Sequence, residues 1–268
     1  MRHSDIGVLD GPVLVFGGPY SNMQATQAVL EEVAARAATG ICTGDTVAYC
    51  AKPRETLDLI RASGCAVVAG NCEAQLAQDA DGCGCGFEPG TTCDVLSDAW
   101  YSFAARSVRP CDRKWMGALP DIITFHHRGA RYGVIHGAVT DVARFIWPTT
   151  AAAVFEAEWD ALEAMAGPVD HIIAGHCGLA FERPLRRGNW VNAGVVGMPP
   201  NDGRQATRFA VVQGGAVSIH TLSYDVAAAV SDMRDAGLTQ GYHTALDSGY
   251  WPSEDVLPLD LRVSCASG

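Results

Sequence analysis

Four side chains able to ligate a metal stand at the ends of short apolar runs that stop at glycine: Asp45 after ICTGD, Asn71 after AVVAGN, His136 in YGVIHG and His176 in HIIAGH. A fifth run, VLVFGG at 13–18, ends in a glycine pair. Apolar runs of this length fit strands buried on both faces, and the glycine lets the chain turn sharply into a loop. Open α/β sheets bind ligands at the carboxyl ends of their strands, so groups distant in sequence can converge at one rim. A carboxylate, an amide and two imidazoles form a mixed oxygen and nitrogen donor set. Such a set suits zinc, iron or manganese and is too rich in nitrogen for a dedicated magnesium or calcium site. The expectation is one transition-metal ion held by Asp45, Asn71, His136 and His176.

The dipeptides occur in a fixed order: Gly44-Asp45, Gly70-Asn71, His136-Gly137 and Gly175-His176, followed by WVNAGVVGMPPNDG at 190–203. In this order the sequence resembles the calcineurin-like metallophosphoesterases, especially their small bacterial members, over roughly residues 12–222. The resemblance implies a four-layered α/β/β/α sandwich of two mixed sheets flanked by helices. It also implies a hydrolase that cleaves phosphate esters at a pair of metals bridged by Asp45.

The departures from that family sort themselves. Its opening Asp-x-His is replaced in GGPYSN, where Gly18 takes the place of the Asp and Tyr20 that of the His. Its GNH becomes Gly70-Asn71-Cys72, and its GHxH becomes Gly175-His176-Cys177-Gly178. By the resemblance, every private ligand of the first metal is lost and every ligand of the second is kept, which points to a single metal.

Three further residues are candidates for the chemistry. Cys72 occupies the place of the histidine that in the family assists at the phosphate and leaving group; a thiol there is a ligand, a nucleophile, an acid or a small filler. Tyr20 can donate to a phosphate oxygen from a glycine-rich loop. Arg144, eight residues beyond His136, is either a phosphate clamp or an ordinary surface arginine. The segment CEAQLAQDADGCGCGFEPGTTC brings Cys83, Cys85 and Cys93 close to Cys72 in sequence. These four either form a second metal or iron–sulfur centre or are incidental thiols, since the spacing matches no standard pattern.

Composition narrows the classes of function. The chain has 268 residues, 48% of them hydrophobic, enough for one large core, and carries a formal charge of −11. That charge argues against a nucleic-acid surface or an anionic membrane as partner, and the resemblance implies a small phosphorylated molecule instead. The start of the chain shows only a four-residue apolar run before glycines, which predicts neither a secretory signal nor a membrane span. Ten cysteines in a chain of this size then suit a reducing, cytoplasmic compartment.

Helical spacing predicts helices over 23–38, 53–64, from 73, irregularly over 95–119 with an interruption at Pro110, over 149–167, and from 224 to 237. Hairpins are predicted over 122–137, turning at Arg128-Gly129-Ala130, and over 208–224, turning at Gly214-Gly215. Residues 1–225 read as the metallophosphoesterase-like domain and 226–268 as a helical extension packed on it. The functional expectation is a metal-dependent phosphoesterase acting on a phosphodiester, nucleotide or phosphoanhydride with a good leaving group. The alternative is an inactive relative that senses a metal or a phosphorylated ligand.

Overall fold

The computed structural model describes residues 1–263. The VLVF run forms β2 (Val13–Phe16), followed by helix α1 (Met23–Ala35) and strand β3 (Thr39–Cys42). Helix α2 (Pro53–Ala62) leads to the two-residue strand β4 (Ala66–Val67). β2, β3 and β4 pair in parallel, as the crossover helices require. The strands β10 (Thr207–Gln213) and β11 (Ala216–Leu222) form the second expected hairpin and extend this sheet on the other side of β2, giving the order β11-β10-β2-β3-β4.

The other sheet begins with β1 (His3–Val8), then takes the hairpin β5 (Ile122–His127) and β6 (Ala130–Val134). Its remaining strands are β7 (His171–Ala174), β8 (Ala180–Pro184) and β9 (Asn189–Ala193), in the order β1-β5-β6-β7-β9-β8. Both sheets mix parallel and antiparallel pairs.

Alternation along β2 shows how the layers are built. Val13 and Val15 face Phe125, Tyr132, Val134 and Ile173 of the other sheet, in a core between the sheets. Leu14 and Phe16 face outward onto Val29 of α1 and Ile60 of α2. On the far side, α6 (Ala152–Ala166) lays Phe155, Trp159 and Leu162 against Ile172 and Trp190 of the second sheet. Inner strands such as β2 are apolar on both faces because the centre of each sheet is covered on both faces. The result is the four-layered α/β/β/α sandwich.

A further apolar body covers the carboxyl ends of the strands. It contains α3 (Asn71–Ala77), α4 (Thr92–Ser107) and α5 (Pro110–Met116), where Pro110 stands at the first turn, the one place in a helix that tolerates it. Helices α7 (Val226–Asp235) and α8 (Tyr242–Ser248) add Val230, Met233 and Leu246 to the same body as Trp100 and Leu76. Strands β1 and β8 and helix α8 were not expected from the sequence. Residues 264–268 of the expected C-terminal extension lie outside the described residues.

Candidate metal centre

The four expected ligands meet, and they do so from two sheets rather than along one rim. Asp45 and Asn71 follow β3 and β4, while His136 and His176 follow β6 and β7 of the facing sheet. His136 Nε2 lies 3.0 Å from Asn71 Oδ1, 3.0 Å from His176 Nδ1 and 3.3 Å from Asp45 Oδ2. All four residues are buried. Asp45 and His176 both adopt left-handed backbone, φ 55° and 64°, which non-glycine residues rarely do. Such strain persists at positions that the surroundings over-determine, often functional ones.

The outer hydrogen bonds decide which atoms face inward. His136 Nδ1 is 2.6 Å from the Thr43 carbonyl and His176 Nε2 is 2.8 Å from the Ala143 carbonyl. A carbonyl only accepts, so each of those nitrogens carries the ring proton and the other nitrogen turns its lone pair toward the centre. Asn71 Nδ2 donates to the Cys83 carbonyl at 3.1 Å, which orients Oδ1 inward as well. With neutral rings, two imidazole lone pairs, one amide oxygen and one carboxylate oxygen therefore converge with no hydrogen between them. That is the donor arrangement of a cation site, and these residues fit a transition-metal ion.

The four donors also act on one another electrostatically. Burial opposes charge on both partners, yet the Asp45 carboxylate raises His136 above the ordinary imidazole range, and His136 in turn holds Asp45 below the carboxylate range. Burial and the charge on His136 push His176 down.

Glu73, which the sequence reading missed, fixes the Asp45 loop. Its buried carboxylate accepts from the backbone N–H of Asp45 at 2.8 Å, of Thr46 at 2.7 Å and of Gly70 at 2.9 Å, and from the Thr46 hydroxyl at 2.6 Å. Burial and the neighbouring Asp45 charge push its carboxyl up. A glutamate three residues after the residue preceding a helix was the available signal, because that position reaches back to the helix start. Glu158 of α6 plays the same part on the other sheet. It accepts from Val139 and Thr140 N–H at 2.8 and 3.0 Å and so holds the loop that carries the Ala143 carbonyl.

The remaining candidates fall in different places. Tyr20 lines a cavity of about 70 Å³ that opens beside Asp45, Asn71 and His176. Burial, then the Asp45 charge, keeps its phenol well above the usual range, so it keeps its proton. Cys72 is packed in the apolar body with Leu76 and Trp100, and burial pushes its thiol well up. Arg144 reaches Glu158 at 3.2 Å and is not among the residues lining the cavity.

Of the two readings of the cysteine segment, the four-cysteine centre is not formed among the described residues. Cys83 and Cys85 are bonded to each other as a disulfide, leaving Cys72 and Cys93 as free, buried thiols. Gly84 between them has φ +58°, and this left-handed residue turns the chain so that the two sulfurs meet. Among the described residues, the one group of three histidine, cysteine or acidic donors within ligating range of each other is Asp45, His136 and His176.

Two glycines, at positions where the resemblance places ligands of the other metal, are closely packed. A side chain at Gly18, whose φ is +46°, would run into the Tyr20 ring and Val195. One at Gly178 would lie 2.9 Å from the Trp251 ring.

No protein-family model and no curated protein matches the sequence. Solved structures do. A metallophosphoesterase from Sphaerobacter thermophilus is 20% identical with a TM-score of 0.70, over 90% of this chain and 100% of its own. A hypothetical protein from Pyrococcus horikoshii is 17% identical with a TM-score of 0.69, over 90% of this chain and 98% of its own. Two mixed sheets with helices on their outer faces, matched over nearly the whole of both chains, give this chain the metallophosphoesterase fold.

Proposed function

We propose that the protein is a metal-dependent phosphoesterase that works with a single ion of zinc, iron or manganese, held by Asp45, Asn71, His136 and His176. The observation that carries this reading is the convergence of four lone-pair atoms whose outer partners, Thr43, Ala143 and Cys83, leave no proton between them. The fold shared with a metallophosphoesterase supports the reaction class. When bound, such an ion supplies Lewis-acid polarisation of a phosphoryl oxygen and acidifies a water toward neutral pH.

The residues around the site set the rest. Glu73 and Glu158 hold the ligand loops, so the donor geometry is built before substrate arrives. Tyr20 stands where the resemblance places a ligand histidine, and it offers a hydrogen bond to a phosphoryl oxygen. Free thiols stand by the site, Cys93 and Cys177 in the cavity lining and Cys72 with its sulfur 3.6 Å from Asn71 Nδ2, but burial pushes all three up, which makes them weak acids toward a departing alcohol. A leaving group that departs as a stable anion is therefore favoured.

The filling of the neighbouring half-site by Tyr20, Val195 and Trp251 favours one alternative, a non-catalytic sensor of a metal or phosphorylated ligand. Elemental analysis combined with hydrolysis of bis(4-nitrophenyl) phosphate and an alkyl phosphate monoester separates the two. Roughly one ion per chain with turnover of the aryl diester supports the esterase. One ion per chain without turnover of either ester supports the sensor.

A further inference from the structure

The cavity beside the ligands has walls of unusual composition for a phosphate site. Tyr20, Tyr49 and Tyr242 form one aromatic group, with Tyr49 at 4.7 Å from Tyr20 and 4.4 Å from Tyr242, centroid to centroid. Phe145 forms another, stacked on the His176 ring at 4.4 Å and on Phe87 at 6.1 Å. Trp251 completes the enclosure, its indole N–H donating to the Pro199 carbonyl at 2.7 Å while the ring covers Gly178. All of these residues except Pro199 line the cavity.

No lysine or arginine lines it among the described residues. Arg144, which belongs to the loop after His136, is tied to Glu158. Asp45 with one divalent ion leaves about one net positive charge, enough to offset one phosphate charge and no more. A monoester dianion or a nucleoside polyphosphate would bring uncompensated negative charge against aromatic walls, where it loses its hydration without gaining a partner.

We infer that the site takes a monoanionic phosphodiester bearing a compact aromatic alcohol, seated against Phe145 and Trp251, and discriminates against nucleoside polyphosphates and phosphomonoesters. This rests on the phosphoesterase reading for its chemistry, though not for its binding preference. In hydrolysis the oxygen of water bonds to phosphorus and the water gives up one proton to solvent, while the bond from phosphorus to the aryl oxygen breaks and the aryloxide departs to be protonated by solvent. The monoester product carries close to a second negative charge above about pH 6. A cavity without cations then releases it more readily than it holds the substrate.

The test is calorimetric binding to the manganese-loaded protein of three probes: diphenyl phosphate, phenyl phosphate and adenosine diphosphate. Diphenyl phosphate should bind at least tenfold more tightly than either of the others. Trp251→Ala should lose about tenfold in affinity for it at unchanged metal content, and Trp251→Phe should recover most of that loss. Equal or tighter binding of adenosine diphosphate, or unchanged affinity in Trp251→Ala, overturns the inference. Turnover of bis(4-nitrophenyl) phosphate reports separately on the chemistry. The expected order of binding without turnover sinks the esterase reading and leaves this one standing, whereas turnover with the order reversed does the opposite.

Discussion

The Asn71 side chain donates through Nδ2 to the carbonyl of Cys83 at 3.1 Å, and this bond aims Oδ1 at the centre formed with His136. A residue of the cysteine loop thus orients a metal ligand through its backbone, with its sulfur engaged elsewhere. Asn71→Asp keeps an inward oxygen and should retain metal. Asn71→Leu should weaken binding by about 100-fold or more, read by competition with a chromophoric chelator. Equal affinity for the two variants would remove Asn71 from the ligand set.

The histidines should behave as ligands and Tyr20 should not. The His136→Ala, His176→Ala double variant should retain less than about a tenth of wild-type metal by elemental analysis, and Tyr20→Phe all of it. Wild-type metal content in the double variant would refute the assignment.

Glu73 accepts four hydrogen bonds in a fully buried place. Glu73→Ala leaves those donors without a partner and should cost about 3 kcal/mol of stability in urea unfolding, with Glu73→Gln losing less. A loss under about 0.5 kcal/mol, the range of ordinary surface changes, would show that the loop holds itself.

Glu158 and Arg144 form an unequal pair, one buried and one half exposed. Glu158→Ala should destabilise the protein by about 2–4 kcal/mol and lower metal affinity about tenfold, because the loop presenting the Ala143 carbonyl to His176 loosens. Arg144→Ala should cost about 1 kcal/mol or less and leave the KM for an aryl diester unchanged. A large rise in KM would restore Arg144 as a phosphate clamp.

The sequence by itself determined the strand ends, most helices and the identity of the four donors, because these are local facts. Apolar runs closed by glycine, such as AVVAGN and HIIAGH, mark buried strands wherever they occur, and Pro53, Pro110 and Gly167 punctuate helices by their own backbone preferences. The edge strand β1, with exposed and polar HSDIGV, exists because Ile122, Ile123 and Thr124 of β5 accept it, a partnership no local pattern announces. Helix α8 is only seven residues long and is held by burial of Ala245 and Leu246, and packing rather than periodicity stabilises so short a segment.

Tertiary structure alone decided how the donors meet. Asp45 and Asn71 arrive from one sheet, His136 and His176 from the other, and the outward partners that set each tautomer are backbone carbonyls, which every residue carries and no sequence distinguishes. The same holds for the cavity: Tyr49, Phe87, Phe145, Tyr242 and Trp251 are scattered over two hundred positions of chain. Hydrophobic side chains are non-directional in their preference for burial, so the sequence says that each will be covered, and only the packed structure says against what.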